Sequence, residues 1–170
     1  MEDPAPASLI FNNQRQSPLF KGHSTHKSGT GELTIVYRIL DANINRLREA
    51  LRVVEEYFRF AEGDGEATVG LKKMRHALQA IEAGLDPAML LASRDSAHDP
   101  LAGDTRPEER ERSGISAVVS ASLKRAQEAA RVIEEYGKAA GASAVSEIAK
   151  QLRFEVYGFE KRVGESNNNG

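Results

Sequence analysis

Apolar residues recur every three or four positions along the first half of the chain. Leu40, Ile44, Leu47, Leu51, Val54, Phe58 and Ala61 are spaced 4-3-4-3-4-3. At 100° per residue this spacing places them on one stripe of an α-helix, so a helix packing one face against neighbours is expected from about Leu33 to Ala61. The turn-forming run "EGDGE" at 62–66 ends it, and Ala67, Leu71, Met74, Leu78, Ile81 and Leu85 carry the same rhythm through a second helix. Asp86-Pro87 has the form of an N-cap followed by proline at the first helical position, which opens a short helix over "AMLLASR". Residues 95–113 have no apolar period, and so long a connection in a compact domain is functional or disordered as a rule.

After Ser113-Gly114 the first helix is written again. "REALRVVEEY" (48–57) returns as "QEAARVIEEY" (127–136). At an offset of 79, Ala42, Arg46, Glu49, Ala50, Arg52, Val53, Glu55, Glu56 and Tyr57 recur as Ala121, Arg125, Glu128, Ala129, Arg131, Val132, Glu134, Glu135 and Tyr136. The second helix recurs more weakly, "LKKMRHALQAIE" (71–82) against "AKQLRFEVYGFE" (149–160), sharing Lys72/Lys150, Arg75/Arg153 and Glu82/Glu160. Two helical hairpins in tandem predict an all-α four-helix bundle with an internal pseudo-two-fold repeat. On the seam, Leu47, Leu51 and Phe58 become Ala126, Ala130 and Gly137. Smaller seam residues either bring helices close or leave a groove, and the pattern leaves both open.

Composition narrows the function classes. The ends, 1–32 and 164–170, have no sustained period and read as tails around a helical domain at 33–163. "KSGTGE" at 27–32 is glycine-rich, but no strand precedes it and no Gly-Lys-Ser/Thr closes it, as a phosphate loop requires. A formal net charge of −2 gives no field for nucleic acid or an anionic membrane. The absence of cysteine excludes disulfides, thiolate metal sites and a cysteine nucleophile. No apolar run nears the ~18 residues of a membrane span, and no secretory signal opens the chain, so a cytoplasmic protein is expected.

The repeated charges are the candidate chemistry. Arg38, Asp41, Asn45, Glu49, Arg52 and Glu56 fall on one stripe of the first helix, roughly 80° wide. Arg46 lies nearer Ala42, Ala50, Val53 and Tyr57, on a face expected to be partly buried, with Glu49 one turn on as its partner. Arg125 and Glu128 repeat that pair. These are either intrahelical pairs on a solvated face, inherited with the duplication, or a functional set. Charges kept in register while the apolar seams diverged put the functional reading on an equal footing with the structural one. In "RDSAHD", Asp95 and Asp99 beside Arg94 suit Mg²⁺ with a phosphate, or form an acidic capped turn. His76 and His98 carry no ligand pattern. There is no Ser/His/Asp set and no HExxH.

Together, "RILDANINRLREALRVVEEYFRF" (38–60), "LLASRDSAHD" (90–99), "KRAQEAARVIEEYGK" (124–138) and "QLRFEVYGFEKRV" (151–163) resemble the small all-helical hydroxymethylpyrimidine phosphate kinases, which occur alone or fused ahead of thiamin-phosphate synthase. The loop keeps Arg94, Asp95 and Asp99 but lacks the Val-Gly-Thr of the family's RDTxxDVGT, and Ser122 stands where the family carries asparagine. The resemblance implies an ATP- and Mg²⁺-dependent kinase that phosphorylates 4-amino-5-hydroxymethyl-2-methylpyrimidine phosphate, with thiamin-phosphate synthase as a candidate partner. On that reading Arg46, Arg52, Arg94, Arg125 and Arg131 clamp phosphates, with Lys138 a weaker candidate. Asp41, Asp95 and Asp99 hold Mg²⁺ or substrate. Asn43 and Asn45 read the aminopyrimidine edge, since an amide offers donor and acceptor, while Glu49 and Glu128 orient the arginines. The alternative is a non-catalytic docking or regulatory module. The synthase reaction itself is disfavoured, since its barrel needs a longer βα repeat.

Overall fold

The computed structural model describes residues 28–100 and 111–168, and every regular element among them is helical. Helix α1 spans Ser28–Glu56 and continues into a π-helical turn at Tyr57–Ala61; α2 spans Gly65–Ala83, α3 Pro87–Ser93, α4 Ile115–Ala139 and α5 Ser143–Asn168. The all-α expectation holds. Helix α1 starts earlier than Leu33 and α5 runs past Val163, so 28–32 and 164–168 are helical rather than tail. Gly29–Glu32 are exposed and carry no apolar signal, yet helix propagates cheaply from a packed segment. The Thr34 hydroxyl donates to the Thr30 carbonyl at 2.9 Å within this added turn. The remaining N-terminal tail lies outside the described residues.

Helix starts follow the caps written in the chain. Asp64 accepts from Ala67 N at 3.0 Å and opens α2, and Asp86 accepts from Ala88 N at 2.9 Å ahead of Pro87 in α3. The long helices contact in a closed ring, α1 against α2 and α4, and α5 against α2 and α4, while α3 lies on α1. Their seams share one core: Leu40, Leu47, Leu51 and Val54 meet Leu71, Leu78, Leu123, Ile133, Ala149 and Val156. At Gly137 the small seam brings backbones together: a Cβ there would stand 3.3 Å from Ser146 N. Opposite in the repeat, Phe58 fills the space and meets Phe159 edge-on at 5.6 Å.

The π-turn departs from the α-helix that the periodicity predicts through Ala61, and the repeat explains it. Left-handed glycines end the first helix of each hairpin, Gly63 at φ 65° and Gly141 at φ 71°. The offset between copies is 79 at Tyr57/Tyr136 but 78 at Gly63/Gly141 and onwards. The first copy thus holds one extra residue between its tyrosine and its glycine. A π-turn accommodates one extra residue without unwinding the helix, and it keeps the adjacent Tyr57 and Phe58 both buried.

Candidate functional site

The repeated charges separate into two groups. The first pins each hairpin from inside. Glu55 is 5 % exposed and takes Arg75 at 2.5 Å, with Arg52 3.6 Å away. At the matching positions Glu134, also 5 % exposed, accepts from Arg153 at 2.9 and 3.1 Å and from Arg131 at 2.9 Å. Lower in each hairpin Arg48 meets Glu82 at 2.6 Å, and Gln127 with Lys124 meets Glu160 at 2.8 and 2.7 Å. Burial pushes the Glu134 carboxyl up, but bonds from Arg153 and Arg131 outweigh it and hold the group below its ordinary range. Arg52 and Arg131, expected as phosphate clamps, are bound to carboxylates: Arg52 also pairs with Glu56 at 2.5 Å and Arg131 with Glu135 at 2.9 Å. Lys138 likewise pairs with Glu135 at 2.9 Å.

The second group meets between the copies. Helices α1 and α4 run antiparallel, since Asn43–Glu49 lie by Arg125–Val132 while Val53–Ala61 lie by Ile115–Val119. Asn43, Arg46, Glu49, Arg125 and Glu128 line one cleft of about 450 Å³, floored by Ala129 and Val132. Arg46 and Glu49 do not pair with each other, nor Arg125 with Glu128; among the described residues these four make no ion pair within 4.0 Å. All four are exposed, which corrects the partly buried face expected for Arg46. The reason is the antiparallel crossing: α4 covers Asn43 and Ala50 and leaves their outer neighbours in water. Buried Asn43 donates to the Ile39 carbonyl at 2.8 Å, and buried Ser122 donates to the Val118 carbonyl at 2.9 Å. Those are matching positions with matching bonds, so Ser122 replaces an asparagine-type back-bond without loss. The amide oxygen of Asn43 is left facing no donor among the described residues.

A third set gathers where α3 ends against α1. Arg94 grips Asp41 through both carboxylate oxygens at 2.8 and 2.7 Å, which raises the Arg94 guanidinium further above its ordinary range. Arg38 donates to the Asp95 carbonyl at 2.7 Å, and the His98 ring lies 2.8 Å from the Asp95 carboxylate, which that bond chiefly holds below its usual range. Asn45 is spent inside the helix, donating to the Asp41 carbonyl at 3.0 Å and accepting from Arg48 at 2.6 Å. The Asp41 carboxylate is therefore held by Arg94, and that of Asp95 by His98 with the Arg38 guanidinium 3.5 Å away. Among the described residues no group of three His, Cys, Asp or Glu is placed to hold a metal, Asp99 included. The part of the loop at 101–110 lies outside the described residues.

Sequence reading passed over a further cleft between α1 and α2, about 610 Å³, lined by Arg48, Arg59, Lys72 and Arg75 among others. The recurrence of Arg75 as Arg153 and of Lys72 as Lys150 was the available signal. Among the described residues no helix is long and apolar enough to cross a membrane.

Residues 38–162 match the model of the ThiD2 family. The chain is 39 % identical over 129 residues to the thiamine-phosphate synthase of Nostoc punctiforme, 43 % over 126 residues to that of Thermosynechococcus vestitus, and 38 % over 126 residues to that of Rhodopirellula baltica. These matches cover 76, 74 and 74 % of this chain but only 35, 34 and 33 % of those proteins, so it spans about a third of the length of the relatives it matches. No solved structure matches. By the family match over most of its length, this chain belongs to the ThiD2 family.

Proposed function

We propose that the chain acts in thiamin biosynthesis as a phosphotransferase, moving the γ-phosphoryl group of ATP onto the phosphate of 4-amino-5-hydroxymethyl-2-methylpyrimidine phosphate. An acceptor phosphate oxygen bonds the γ-phosphorus, the β–γ bridging bond breaks, and ADP leaves. The acceptor phosphate has a second pKa near 6 and is already ionised at neutral pH. No strong general base is needed. The chain's task is to bring two anions together and neutralise them, which is work for guanidinium groups.

The observation that carries this reading is the α1–α4 cleft. Arg46 and Arg125, one from each copy, line it with no carboxylate bound to either among the described residues. Arg52, Arg94, Arg131 and Lys138 pair with carboxylates and do not line this cleft, so this reading gives the clamp to Arg46 and Arg125. The free oxygen of Asn43 suits an exocyclic amine of the aminopyrimidine, and Glu49 and Glu128 offer further acceptors. Mg²⁺ enters as part of MgATP, and no step is assigned to a protein-bound ion.

The test is ADP release by the purified chain with MgATP, comparing the pyrimidine monophosphate with the free alcohol. Turnover of the monophosphate, lost in Arg46→Ala and Arg125→Ala, is expected. A folded chain inert towards both substrates refutes the reading. It would favour the docking module, which finds its own support in the apolar cleft of about 430 Å³ formed by Val53, Tyr57, Phe60, Ile115 and Val118, where the Phe60 side chain stands 70 % exposed.

A further inference from the structure

The α1–α2 cleft takes no part in the proposed transfer, since it opens on the other side of α1 from Arg46. Its walls carry Arg48, Arg52, Arg59, Lys72 and Arg75 against only Glu55 and Glu82 as carboxylates, with Thr68, His76 and Gln79 between them. Among the described residues Arg59 and Lys72 make no ion pair; Arg59 lies over the Phe60 ring at 4.7 Å. In a chain of net charge −2, an excess of cations confined to one concave site is not a consequence of composition. From Arg48 to Arg59 the cations extend along roughly 16 Å of helix, more than a single phosphate spans.

The duplication supplies an internal comparison. At the matching positions between α4 and α5, Gln127 replaces Arg48 and Glu147 replaces Val69, which leaves Arg131, Lys138, Lys150 and Arg153 against Glu134, Glu147 and Glu160. Phe154 and Tyr157 replace His76 and Gln79 and close over the arginine: Arg153 donates to the Tyr157 hydroxyl at 3.0 Å and lies 5.1 Å from the Phe154 ring. As a result the Arg153 side chain is 15 % exposed, against 31 % for Arg75. One hairpin keeps its guanidinium reachable with five cations against two carboxylates, and the other covers the same position and reduces the excess to four against three.

We propose that the cleft between α1 and α2 is a binding site for an oligophosphate anion, engaged by Arg59, Lys72 and the outer edge of Arg75, which the matching α4–α5 cleft does not offer. About 610 Å³ suits a ligand of nucleotide size. Bound phosphate oxygens accept from the Lys72 ammonium and the Arg59 guanidinium. Glu55 keeps Arg75 aimed outward from below. The site stands or falls independently of phosphotransfer at Arg46 and Arg125.

Inorganic tripolyphosphate is titrated into the full chain carrying Arg46→Ala and Arg125→Ala, which removes the other phosphate-binding arginines. Binding is read by calorimetry and by the His76 ring signals in NMR. A saturable shift of His76 is expected. Arg59→Ala with Lys72→Ala should weaken binding at least about tenfold, two charge-assisted bonds being lost. His76→Phe with Gln79→Tyr gives α2 the residues that α5 already carries, so the fold tolerates it, and it should weaken binding comparably. ADP binding more tightly than tripolyphosphate assigns a nucleotide; equal affinity assigns the phosphate chain alone. His76 signals unmoved at millimolar tripolyphosphate, or affinity within twofold in both double variants, overturns the proposal.

Discussion

Replacing Glu134 by alanine tests whether half of the duplicated charge pattern is structural. The carboxylate is 5 % exposed and takes two hydrogen bonds from Arg153 and one from Arg131. The Arg131 side chain is 54 % exposed, so its share is screened to about 0.5 kcal/mol or less. Arg153 is the larger part: its side chain is 15 % exposed, and without Glu134 its acceptors among the described residues reduce to the Tyr157 hydroxyl. Removing one member of so buried a pair costs about 3–5 kcal/mol. The aliphatic stem of Arg153 can shift towards water beside Phe154, which favours the lower end, about 3 kcal/mol. At ~2–4 °C per kcal/mol for a domain of this size, the melting temperature falls by about 10 °C.

The assay is urea and thermal unfolding followed by far-ultraviolet circular dichroism, with Arg153→Ala and the double variant completing a cycle. A coupling of about 2 kcal/mol is expected. The pH dependence has a fixed sign. Because the folded-state pKa of Glu134 is lowered, its stabilisation is present above the ordinary carboxylate value near 4.3 and is lost as pH falls through the folded value. The gap between wild type and Glu134→Ala therefore closes below about pH 4. A loss under about 1 kcal/mol at pH 7, with coupling near zero, refutes the staple and returns Glu134 to the candidate functional residues.

The other predictions turn on neighbouring features. Arg52→Ala and Arg131→Ala, both half exposed, should each cost under about 1 kcal/mol in urea unfolding and leave turnover within about threefold. Tyr57 donates to Glu62 at 2.5 Å, and this bond, with burial and the Glu62 charge, pushes its pKa up to about 12. In an absorbance titration at 295 nm the final tyrosinate step should disappear in Tyr57→Phe; since the folded pKa is raised, the bond's stabilisation is present below pH ~10 and lost as pH rises through 12. Gly84→Ala would bring a Cβ within 2.7 Å of the buried Val145 Cγ2 and should lower stability by about 1–3 kcal/mol. Gly158→Ala, with open space around its Cβ, should raise stability by about 0.5–1 kcal/mol in the same unfolding assay.

The helices were legible because one physical signal wrote them: apolar residues at 3.6-residue spacing with aspartates at the starts of α2 and α3. The start of α1 was not, because Gly29–Glu32 are exposed and contain no apolar side chain to mark a face. Periodicity shows which residues face inward, but not which charge meets which across a gap. Arg46 and Arg52 sit six residues apart in the same charged helix, yet one faces α4 without a carboxylate and the other is held by Glu55 and Glu56. The distinguishing clue was the second helix of the hairpin. Arg75 and Arg153 recur in register with Glu55 and Glu134, and a charge repeated on both helices of a hairpin marks a bond between them. Arg46 has no such repeated complement on α2.

The matching hairpins differ in a pattern that follows from what each contact joins. The staples Glu55–Arg75 and Glu134–Arg153 belong to each hairpin separately, so each copy had to retain its own. The α1–α4 cleft is shared, one wall from each copy, and a change in either wall alters the same site; Arg46 and Arg125, Glu49 and Glu128 remain alike. The outer cleft of each hairpin has neither constraint. A ligand site on one hairpin is not compromised when the other fills, and Phe154, Tyr157 and Glu147 occupy the second while His76, Gln79 and Val69 leave the first open. The extra residue taken up at Tyr57–Ala61 lies at the same end of that open cleft and carries Arg59. Deleting Phe60 to restore the 78-residue spacing should return the turn to α-helical geometry and move Arg59 away from Lys72. Tripolyphosphate binding should then weaken while ADP release from the α1–α4 cleft persists; equal loss of both would mean that the two clefts are one site.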